Sequence, residues 1–435
     1  MTSIINTIAV LGGGTMGCGI AGLCAQNDRK VLLLDVSMEA AQQSLERIIN
    51  GRPPAVDDAQ KAVNITLGTF ADDLEKIADY DWICEAVIED LETKRILLSR
   101  VEGLRKEGSV VSTNTSGIPL KDITQGLPAR LHRDIAVTHF FNPVKVMRLM
   151  ELVAGEQTSP AVTQTLAAFC GDVLGKGVVY ANDTVNFIGN RIGCFWMLMG
   201  LHQGAQAQDA GLSMETIDAL MSKPLGLPPT GLYGLIDLIG LDVMDLVGKN
   251  LAINLPAGDM GVDFTAFPPA VQALLERGQI GRKAGGGFYR MLKNDDGSKN
   301  LETFDLKIGT WRASQKVTLD EEHASLDVLF VDDAEGRFAW AMTSSVLSYA
   351  ADLVGEIAAD IVNIDRAMRW GFAWTMGPFK MIDAIGPDKV ATRLKAEGRH
   401  IPKMLQVLID ADAKTFYSKD GAQYLGLDGK FTNLP

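Results

Sequence analysis

The feature that most constrains this chain is a glycine-rich turn directly after its first apolar run. Thr7–Leu11 reads as a β-strand, and the next six residues, Gly12-Gly13-Gly14-Thr15-Met16-Gly17, fit Gly-x-Gly-x-x-Gly and open a helical pattern through Asn27. Such a turn needs glycine for a tight bend, for close approach of the backbone to a pyrophosphate, and for close packing of helix on strand. The turn therefore predicts a dinucleotide site whose phosphates are held by backbone N–H groups.

Asp35 is the second element of this prediction. It follows the apolar run Val31–Leu34 and lies roughly 20 residues beyond the last glycine, where a carboxylate accepts from both ribose hydroxyls of a dinucleotide. A negative charge there opposes a 2′-phosphate, which favours NAD over NADP. The alternative is a glycine turn that only permits tight packing. The residues expected to bind NAD here are Gly12, Gly14, Thr15, Met16, Gly17 and Asp35.

Short β-rich runs alternate with helical stretches up to about Asp183, a pattern typical of parallel strands joined by crossover helices. The candidate strands are Thr7–Leu11, Lys30–Leu34, Ile65–Thr69, Trp82–Ala86, Val110–Thr113, Ile135–Thr138, Leu149–Val153 and Val178–Tyr180. Ser37 is a candidate N-cap for the helix after the second strand. Beyond Phe187 the period becomes helical, as in Asn190–Asp209. We expect an α/β plus all-α protein with a Rossmann-type, doubly wound parallel sheet followed by helical domains.

The helical part contains a repeat. The segment 231–242 recurs at 377–388, with glycine, isoleucine and aspartate at matching positions. A duplicated helical unit is the simplest interpretation. Between the copies, Gly278–Tyr289 is glycine-rich and Lys293–Asn300 is polar, which favours a linker near residues 290–325. The expected domains are residues 1–183 for nucleotide binding, 184–295 for the first helical copy and 325–435 for the second.

Charge and cysteine usage exclude several classes of protein. The chain carries 41 Lys and Arg against 54 Asp and Glu, a net charge of −13, which argues against a broad nucleic-acid or anionic-membrane surface. An anionic ligand therefore needs a local basic or backbone N–H site. Five unpatterned cysteines and five scattered histidines predict no disulfide framework and no metal site, and they favour a cytoplasmic location. No apolar run is long enough for a transmembrane helix, and the Met1–Leu11 segment reads as a strand rather than a signal peptide.

His139 and Glu151 form the candidate catalytic pair. His139 ends the strand beginning at Ile135, Pro143 stops that strand, and the chain returns through Val146 to Glu151. A strand, a turn and a strand can bring the carboxylate beside the imidazole. A carboxylate on one ring nitrogen fixes the tautomer and leaves the other nitrogen to take a proton. A histidine beside aromatic residues is more often a satisfied core residue, but the carboxyl end of a sheet strand next to a dinucleotide site favours a general base.

Polar residues also follow the fourth and fifth strands. Glu89 and Lys94 come after the fourth strand, and Asn114 and Ser116 come after the fifth. At the switch point of a doubly wound sheet, these loops approach the nicotinamide end of the cofactor. A solvated helix start explains the first two nearly as well, and ordinary turn chemistry explains the other two.

Taken together, these motifs resemble the 3-hydroxyacyl-CoA dehydrogenases of fatty-acid β-oxidation. The resemblance covers the first 290 residues or so, and the duplicated tail resembles the dehydrogenase portion of long bacterial proteins that also carry an enoyl-CoA hydratase module. It is carried by the Gly12–Gly17 turn, Glu85–Glu89 with Lys94, Thr113–Ser116, His139–Pro143 with Glu151, Gly175–Lys176, Asp183–Arg191 and Gly285–Tyr289. Val185 and Asn186 depart from the family's usual proline and glycine at the interdomain hinge.

The resemblance implies a role for each matching position. His139 would be the general base and Glu151 its orienting partner, while Asn190 and Ser116 would hydrogen-bond the substrate oxygens or the histidine. Asp35 would hold the adenine ribose, and Glu89, Lys94 and Asn114 would lie at the cofactor. The second tail copy has no asparagine equivalent to Asn190 and is expected to be structural.

The activity implied is NAD-dependent oxidation of an L-3-hydroxyacyl-CoA to the 3-ketoacyl-CoA. A dehydrogenase of a free 3-hydroxy acid or sugar acid is the nearest alternative, and a non-catalytic sensor of the NAD/NADH ratio is a more distant one. The expected partners are an acyl-CoA substrate and, for a stand-alone chain or a fragment, an enoyl-CoA hydratase module or a thiolase. An internal second copy slightly favours a monomer over a homodimer.

Overall fold

The predicted alternation of strands and helices is confirmed by a computed structural model, which describes residues 4–293 and 296–434. The strands of the large sheet are β1 (Thr7–Leu11), β2 (Lys30–Asp35), β3 (Ile65–Thr69), β4 (Trp82–Glu85), β5 (Val110–Thr113), β6 (Ile135–Phe140), β7 (Leu149–Ala154) and β8 (Gly177–Ala181). Their order is β3-β2-β1-β4-β5-β6-β7-β8. This is the strand order of a doubly wound nucleotide-binding sheet, extended by two strands.

The sheet is parallel from β1 to β6, but β7 runs antiparallel to β6, and β8 is parallel to β7. The return of the chain expected after Pro143 is therefore present as an antiparallel pair of strands. The reason is the short connection from Phe140 to Leu149, because a parallel neighbour needs a crossover of a dozen or more residues.

Helices cover the faces of this sheet, and apolar runs form its buried strands. Val31–Leu34 is buried throughout, as expected of a parallel strand covered on both faces. Ser37 is confirmed as an N-cap, since its hydroxyl accepts from the N–H of Ala40. The helices are α1 (Thr15–Gln26), α2 (Met38–Asn50), α3 (Leu91–Leu104), α4 (Leu120–Thr124), α5 (Ala129–Asp134) and α6 (Pro160–Ala168).

The remaining helices belong to a second compact unit. The first unit comprises the chain up to Ile188 with Glu356–Ala359, and the second comprises Gly189–Gly355 and the chain from Asp360. The helices of the second unit are α7 (Gly189–Asp209), α8 (Met214–Leu220), α9 (Gly231–Ile239), α10 (Leu241–Asn254), α11 (Pro269–Glu276), α12 (Ala334–Asp352), α13 (Ile361–Gly371), α14 (Pro378–Ile385), α15 (Pro387–Ala396) and α16 (Lys403–Asp410).

The predicted repeat is visible in hydrogen bonds. Asp218 accepts from the N–H groups of Tyr233 and Gly234 at the start of α9 and from the hydroxyl of Tyr289. Asp365 does the same in the second copy, with the N–H groups of Phe379 and Lys380 and the hydroxyl of Tyr417. Equivalent aspartates thus hold equivalent helix starts, which is direct evidence of duplication.

The segment expected to be a linker has structure of its own. It contains an antiparallel sheet of β9 (Tyr289–Lys293), β10 (Lys299–Asp305) and β11 (Thr310–Ala313), and a hairpin of β12 (Gln423–Leu425) and β13 (Phe431–Asn433) follows the second copy. Because both copies lie in one compact unit, the division into three domains stays a prediction. Its boundary at residue 295 lies outside the described residues, and so do residues 1–3. Over the described ranges, no helix has the length and apolar character needed to cross a bilayer.

Candidate active site

Three glycines of the turn between β1 and α1 are required for three different reasons. Gly12 has a φ of 106°, and a Cβ there would lie 2.7 Å from the carbonyl oxygen of Ala86. A Cβ on Gly17 would lie 1.8 Å from the carbonyl oxygen of Gly12, so this glycine lets the helix pack on the strand. A Cβ on Gly14 would meet no atom within 4 Å. The space beside Gly14 is therefore left for a ligand at the N-terminus of α1.

A cavity of about 870 Å³ opens beside this turn. Of the residues predicted at the cofactor, the cavity is lined by Gly12, Gly14, Thr15, Met16, Asp35, Glu89, Asn114 and, from the catalytic group, Ser116. Gly17 and Lys94 do not line it. Gly17 faces the Gly12 carbonyl, and the Lys94 ammonium is occupied by two carboxylates.

Asp35 ends β2 and is tied to the glycine turn. Its Oδ2 accepts from the N–H of Gly13 at 3.1 Å, and its Oδ1 accepts from the N–H of Val36 at 2.7 Å. A carboxylate offers about four acceptor positions, so both oxygens can still accept from ribose hydroxyls. Asp35 is thus fixed in place and remains able to bind a diol.

Sequence reasoning missed several residues of the cavity. Arg47 donates to the carbonyl oxygen of Gly13 at 2.8 Å, and the Ser44 hydroxyl donates to the same oxygen at 2.8 Å, so α2 holds the turn from outside. Val36, Phe70 and Ile88 form an apolar part of the wall. Each follows the carboxyl end of β2, β3 or β4 within a few residues, and that position is the signal that could have identified them.

Lys94 is the centre of a buried ionic cluster. Its side chain is 1% exposed and lies 2.9 Å from Oε1 of Glu85, which is fully buried, and 3.2 Å from Oε2 of Glu89. The hydroxyl of Thr113 and the N–H of Val87 also donate to Glu85. The cluster joins the loop after β4 to the end of β5. Lys94 therefore supports the cavity wall through Glu85 and Glu89, and its place at the cofactor stays a prediction.

Glu89 links this cluster to Ser116. Its Oε1 accepts from the hydroxyl of Thr115 and from the N–H groups of Ser116 and Gly117, at 2.7 to 2.9 Å. Burial raises the pKa of the Glu89 carboxyl, but the charge of Lys94 and these hydrogen bonds outweigh burial and bring the pKa below its usual value. Glu89 is thus a fixed negative charge that shapes the loop carrying Ser116.

His139 and Glu151 face each other on adjacent antiparallel strands. They are direct partners in the register of β6 and β7, and Nδ1 of His139 lies 2.6 Å from Oε2 of Glu151. Both residues are buried, with His139 3% exposed. The carboxylate favours the proton on Nδ1, which leaves Nε2 with a lone pair. Among the described residues, no hydrogen bond to Nε2 is seen.

Two further contacts hold this pair in place. The Asn114 Oδ1 accepts from the N–H of Phe140 at 3.0 Å, which ties the cavity wall to the residue after His139. The N–H of Ile188 donates to Oε1 of Glu151 at 3.1 Å. Glu151 thus bonds the imidazole through one oxygen and the backbone through the other, which orients its carboxylate.

The family models match most of the chain. Residues 7–184 match "3-hydroxyacyl-CoA dehydrogenase, NAD binding domain", and residues 187–291 and 336–417 match "3-hydroxyacyl-CoA dehydrogenase, C-terminal domain". The chain belongs to the 3-hydroxyacyl-CoA dehydrogenase family. The family resemblance and the fold expected from the sequence are thereby confirmed.

Relatives of this dehydrogenase family are similar over nearly the whole chain. A protein named as a 3-hydroxyacyl-CoA dehydrogenase in Bacillus subtilis is 34% identical over 96% of this chain and 55% of its own length. A protein named as a fatty acid oxidation complex trifunctional enzyme in Rickettsia felis is 34% identical over 92% of this chain and 56% of its own length. The chain thus spans about half the length of these relatives.

A solved structure matches the fold of this dehydrogenase family member. The 3-hydroxybutyryl-CoA dehydrogenase of Escherichia coli superposes with a TM-score of 0.71 at 22% identity, covering 93% of this chain and 98% of that one. At this identity the match concerns the fold alone.

The departures from the dehydrogenase family's hinge pattern have a structural outcome. Asn186 has a φ of 60° and Phe187 a φ of 48°. Asparagine is the residue after glycine that best tolerates the left-handed region, so Asn186 replaces the usual glycine in a conformation that suits glycine. The turn that leads to Ile188 therefore passes through the left-handed region at Asn186 and Phe187.

Asn190 and Arg191 begin α7 in the second unit. Asn190 is half-buried, whereas Arg191 is 1% exposed and lies against Asp259 and Tyr349. Sequence reasoning did not single out this buried cluster, because Tyr349 belongs to the other copy of the repeat.

Proposed function

We propose that this chain catalyses the NAD-dependent oxidation of an L-3-hydroxyacyl-CoA to the 3-ketoacyl-CoA, a step of fatty-acid β-oxidation. The observation that carries the proposal is the 2.6 Å contact between Nδ1 of His139 and Oε2 of Glu151, on a strand that Asn114 of the cavity wall holds through the N–H of Phe140. Alcohol oxidation needs a base for the hydroxyl proton and an acceptor for the hydride, and the first unit has features suited to both.

The cavity fits NAD. The open space at Gly14 suits a pyrophosphate, the Asp35 oxygens suit the hydroxyls of the adenine ribose, and Val36 and Phe70 suit the adenine face. Asn114 and Ser116 lie on the wall toward β5, where the nicotinamide would bind. NAD, when bound, supplies the acceptor for the hydride that leaves C3.

His139 acts as the general base through Nε2. It removes the proton of the 3-hydroxyl group, and Glu151 stabilises the imidazolium that forms and holds the ring in one tautomer. Asn190 and Ser116 hydrogen-bond the substrate oxygens, which follows from the family resemblance.

A second cavity in the first unit suits the phosphates of coenzyme A. It measures about 370 Å³ and is lined by Arg47, Arg52 and Lys145, together with Thr15 and Asn142. No Asp or Glu is among its lining residues, although Asp57 pairs with Lys145 from outside. In a chain of net charge −13, this local group of cations is suited to an anionic substrate.

The test is an absorbance assay of NADH oxidation with acetoacetyl-CoA, run beside free acetoacetate. Turnover of acetoacetyl-CoA alone supports the proposal. Turnover of free acetoacetate at equal kcat/KM would indicate a dehydrogenase of free 3-hydroxy acids. NADH binding without turnover of either compound would indicate a sensor of the NAD/NADH ratio.

We also propose a cytoplasmic location, since all five cysteines are buried and none is in a disulfide bond. Association with an enoyl-CoA hydratase module or a thiolase is proposed because the trifunctional relative from Rickettsia felis is about twice as long as the matched region.

A monomer is proposed over a homodimer because two helical copies pack within one unit of this chain. Light scattering tests the oligomeric state.

A further inference from the structure

The start of α7 is held by the second helical copy. Arg191, in the first turn, donates through Nε to the hydroxyl oxygen of Tyr349 at 2.6 Å, and Tyr349 lies on α12 of the other copy. The Tyr349 hydroxyl donates in turn to Oδ1 of Asp259 at 2.9 Å. The Arg191 guanidinium also pairs directly with Asp259. Tyr349 therefore bridges a buried cation and a buried carboxylate.

Packing on the next turn of α7 strengthens this contact. The ring of Phe195 stacks on Tyr349 with centroids 4.1 Å apart. A Cβ on Gly193 would lie 2.1 Å from the Phe372 ring, so this glycine lets the loop after α13 approach the helix. Trp196 meets Trp374 of the same loop edge to face. The first two turns of α7 are thus enclosed by residues of the second copy.

This enclosure matters because a helix start is its weakest part. The first four N–H groups of a helix have no acceptor within the helix, so the first turn frays unless tertiary contacts hold it. The residues before α7 add little intrinsic stability, since Asn186 and Phe187 have positive φ. Asn190 lies between the segment with positive φ and Arg191. Its side-chain direction therefore depends on whether Arg191 keeps the first turn helical.

We propose that Tyr349 is a positioning residue for Asn190. The second helical copy, which has no equivalent of Asn190, thus contributes to the reaction by holding the first turn of α7 in place. The inference rests on the proposed function, in which Asn190 binds the substrate. In the second copy, Arg337, which follows Gly336 as Arg191 follows Asn190, is 61% exposed and pairs with the exposed Asp332. The buried arrangement thus belongs to the copy that carries Asn190.

The test compares Tyr349→Phe with Tyr417→Phe in the full chain. Tyr417 is a matched control, since its buried hydroxyl also donates to a buried aspartate, Asp365, at 2.9 Å, and among the described residues it has no hydrogen bond or ring contact with α7. We expect Tyr349→Phe to lower kcat/KM for acetoacetyl-CoA about tenfold, as expected for loss of one charge-assisted hydrogen bond, with KM for NADH changed less than about twofold. Tyr417→Phe should lower Tm to a similar extent with kcat/KM unchanged.

A second measurement does not depend on activity. Hydrogen exchange of peptides from residues 189–200 should be faster in Tyr349→Phe than in the wild type or in Tyr417→Phe. Equal exchange in the two variants, or equal losses of kcat/KM, would overturn the proposal. So would full activity of Asn190→Ala. A wild type that binds NADH and does not turn over acetoacetyl-CoA contradicts the proposed function, and exchange still decides whether Tyr349 holds the turn.

Discussion

Nδ1 of His139 lies 2.6 Å from Oε2 of Glu151, and the two residues are direct partners across an antiparallel pair of strands. The contact depends on a reversal of strand direction at the edge of an otherwise parallel arrangement. A parallel neighbour needs a crossover connection of a dozen or more residues, whereas only residues 141–148 join these two strands. The hairpin therefore brings the His139 imidazole and the Glu151 carboxylate together through a short connection.

His139→Gln is expected to lower kcat by about 10²- to 10⁴-fold, because general base catalysis contributes that much. The assay is NADH oxidation with acetoacetyl-CoA. His323→Gln is the control, since His323 is also buried and its Nε2 lies 2.8 Å from Oδ2 of Asp333 in the second unit. Near-normal kcat in His139→Gln would show that the role assignment is wrong.

Asp35→Asn is expected to shift the cofactor preference toward NADP. Removal of the charge relieves repulsion of a 2′-phosphate, while the weaker acceptor raises KM for NAD by about tenfold. The measurement is kcat/KM with NAD and with NADP. Asp28→Asn, an exposed position paired with Lys61, should leave the ratio unchanged. An unaltered ratio in Asp35→Asn would count against the ribose contact.

Arg52→Ala is expected to raise KM for acetoacetyl-CoA by about five- to tenfold at low ionic strength, and by less in high salt, because salt screens exposed charges. KM for acetoacetyl-N-acetylcysteamine, which lacks the phosphates, should not change. Arg133→Ala is the control. This exposed arginine lies just before the amino-terminal end of β6, whereas the loop that lines the cavity follows the carboxyl end of that strand. The same increase for both thioesters would contradict a phosphate contact.

Lys94→Met is expected to lower the free energy of unfolding by about 3 to 5 kcal/mol, because it leaves the buried carboxylate of Glu85 without its cation. Urea unfolding followed by circular dichroism measures this loss. The double variant Glu85→Gln with Lys94→Met should recover part of it, since the unpaired charge is then absent. A double variant less stable than Lys94→Met would argue against the pairing.

The stability of the second unit is expected to decrease as pH rises from about 5 to 8. Burial raises the pKa of Asp218 to about 7 and that of Asp365 to about 7, from 3.8. Between pH 3.8 and about 7, the folded state then binds more protons than the unfolded state. The stabilisation from these protons is therefore complete below pH 3.8 and is lost as the pH rises through about 7. Tm measured across this range should change less in Asp365→Asn. An identical pH dependence in that variant would contradict the prediction.

Local features of the sequence identified most of the first unit. The turn Gly12–Gly17, the carboxylate Asp35 and the run Val31–Leu34 each act within a few residues of their own position, and their outcomes match the structure. The His139–Glu151 contact was also predictable, because a proline-terminated strand and a short return leave little choice of geometry. Family membership followed from the order of these motifs.

Other outcomes depend on contacts between distant residues. Charge pattern alone did not reveal that Lys94 is enclosed between Glu85 and Glu89, or that the predicted linker forms β9 to β11. Whether a polar residue binds a ligand or supports a neighbour depends on what lies across from it, and linear spacing does not contain that information.

By itself, the sequence determined where the glycine turn, His139 and Glu151 lie, because these depend on backbone period, glycine and proline. Only the tertiary structure decided that Arg191 of one helical copy would be buried against Tyr349 of the other, separated from it by 158 positions. The physical reason is that burial of a charge is stable only when its partners converge on it, and convergence is a property of the packed chain.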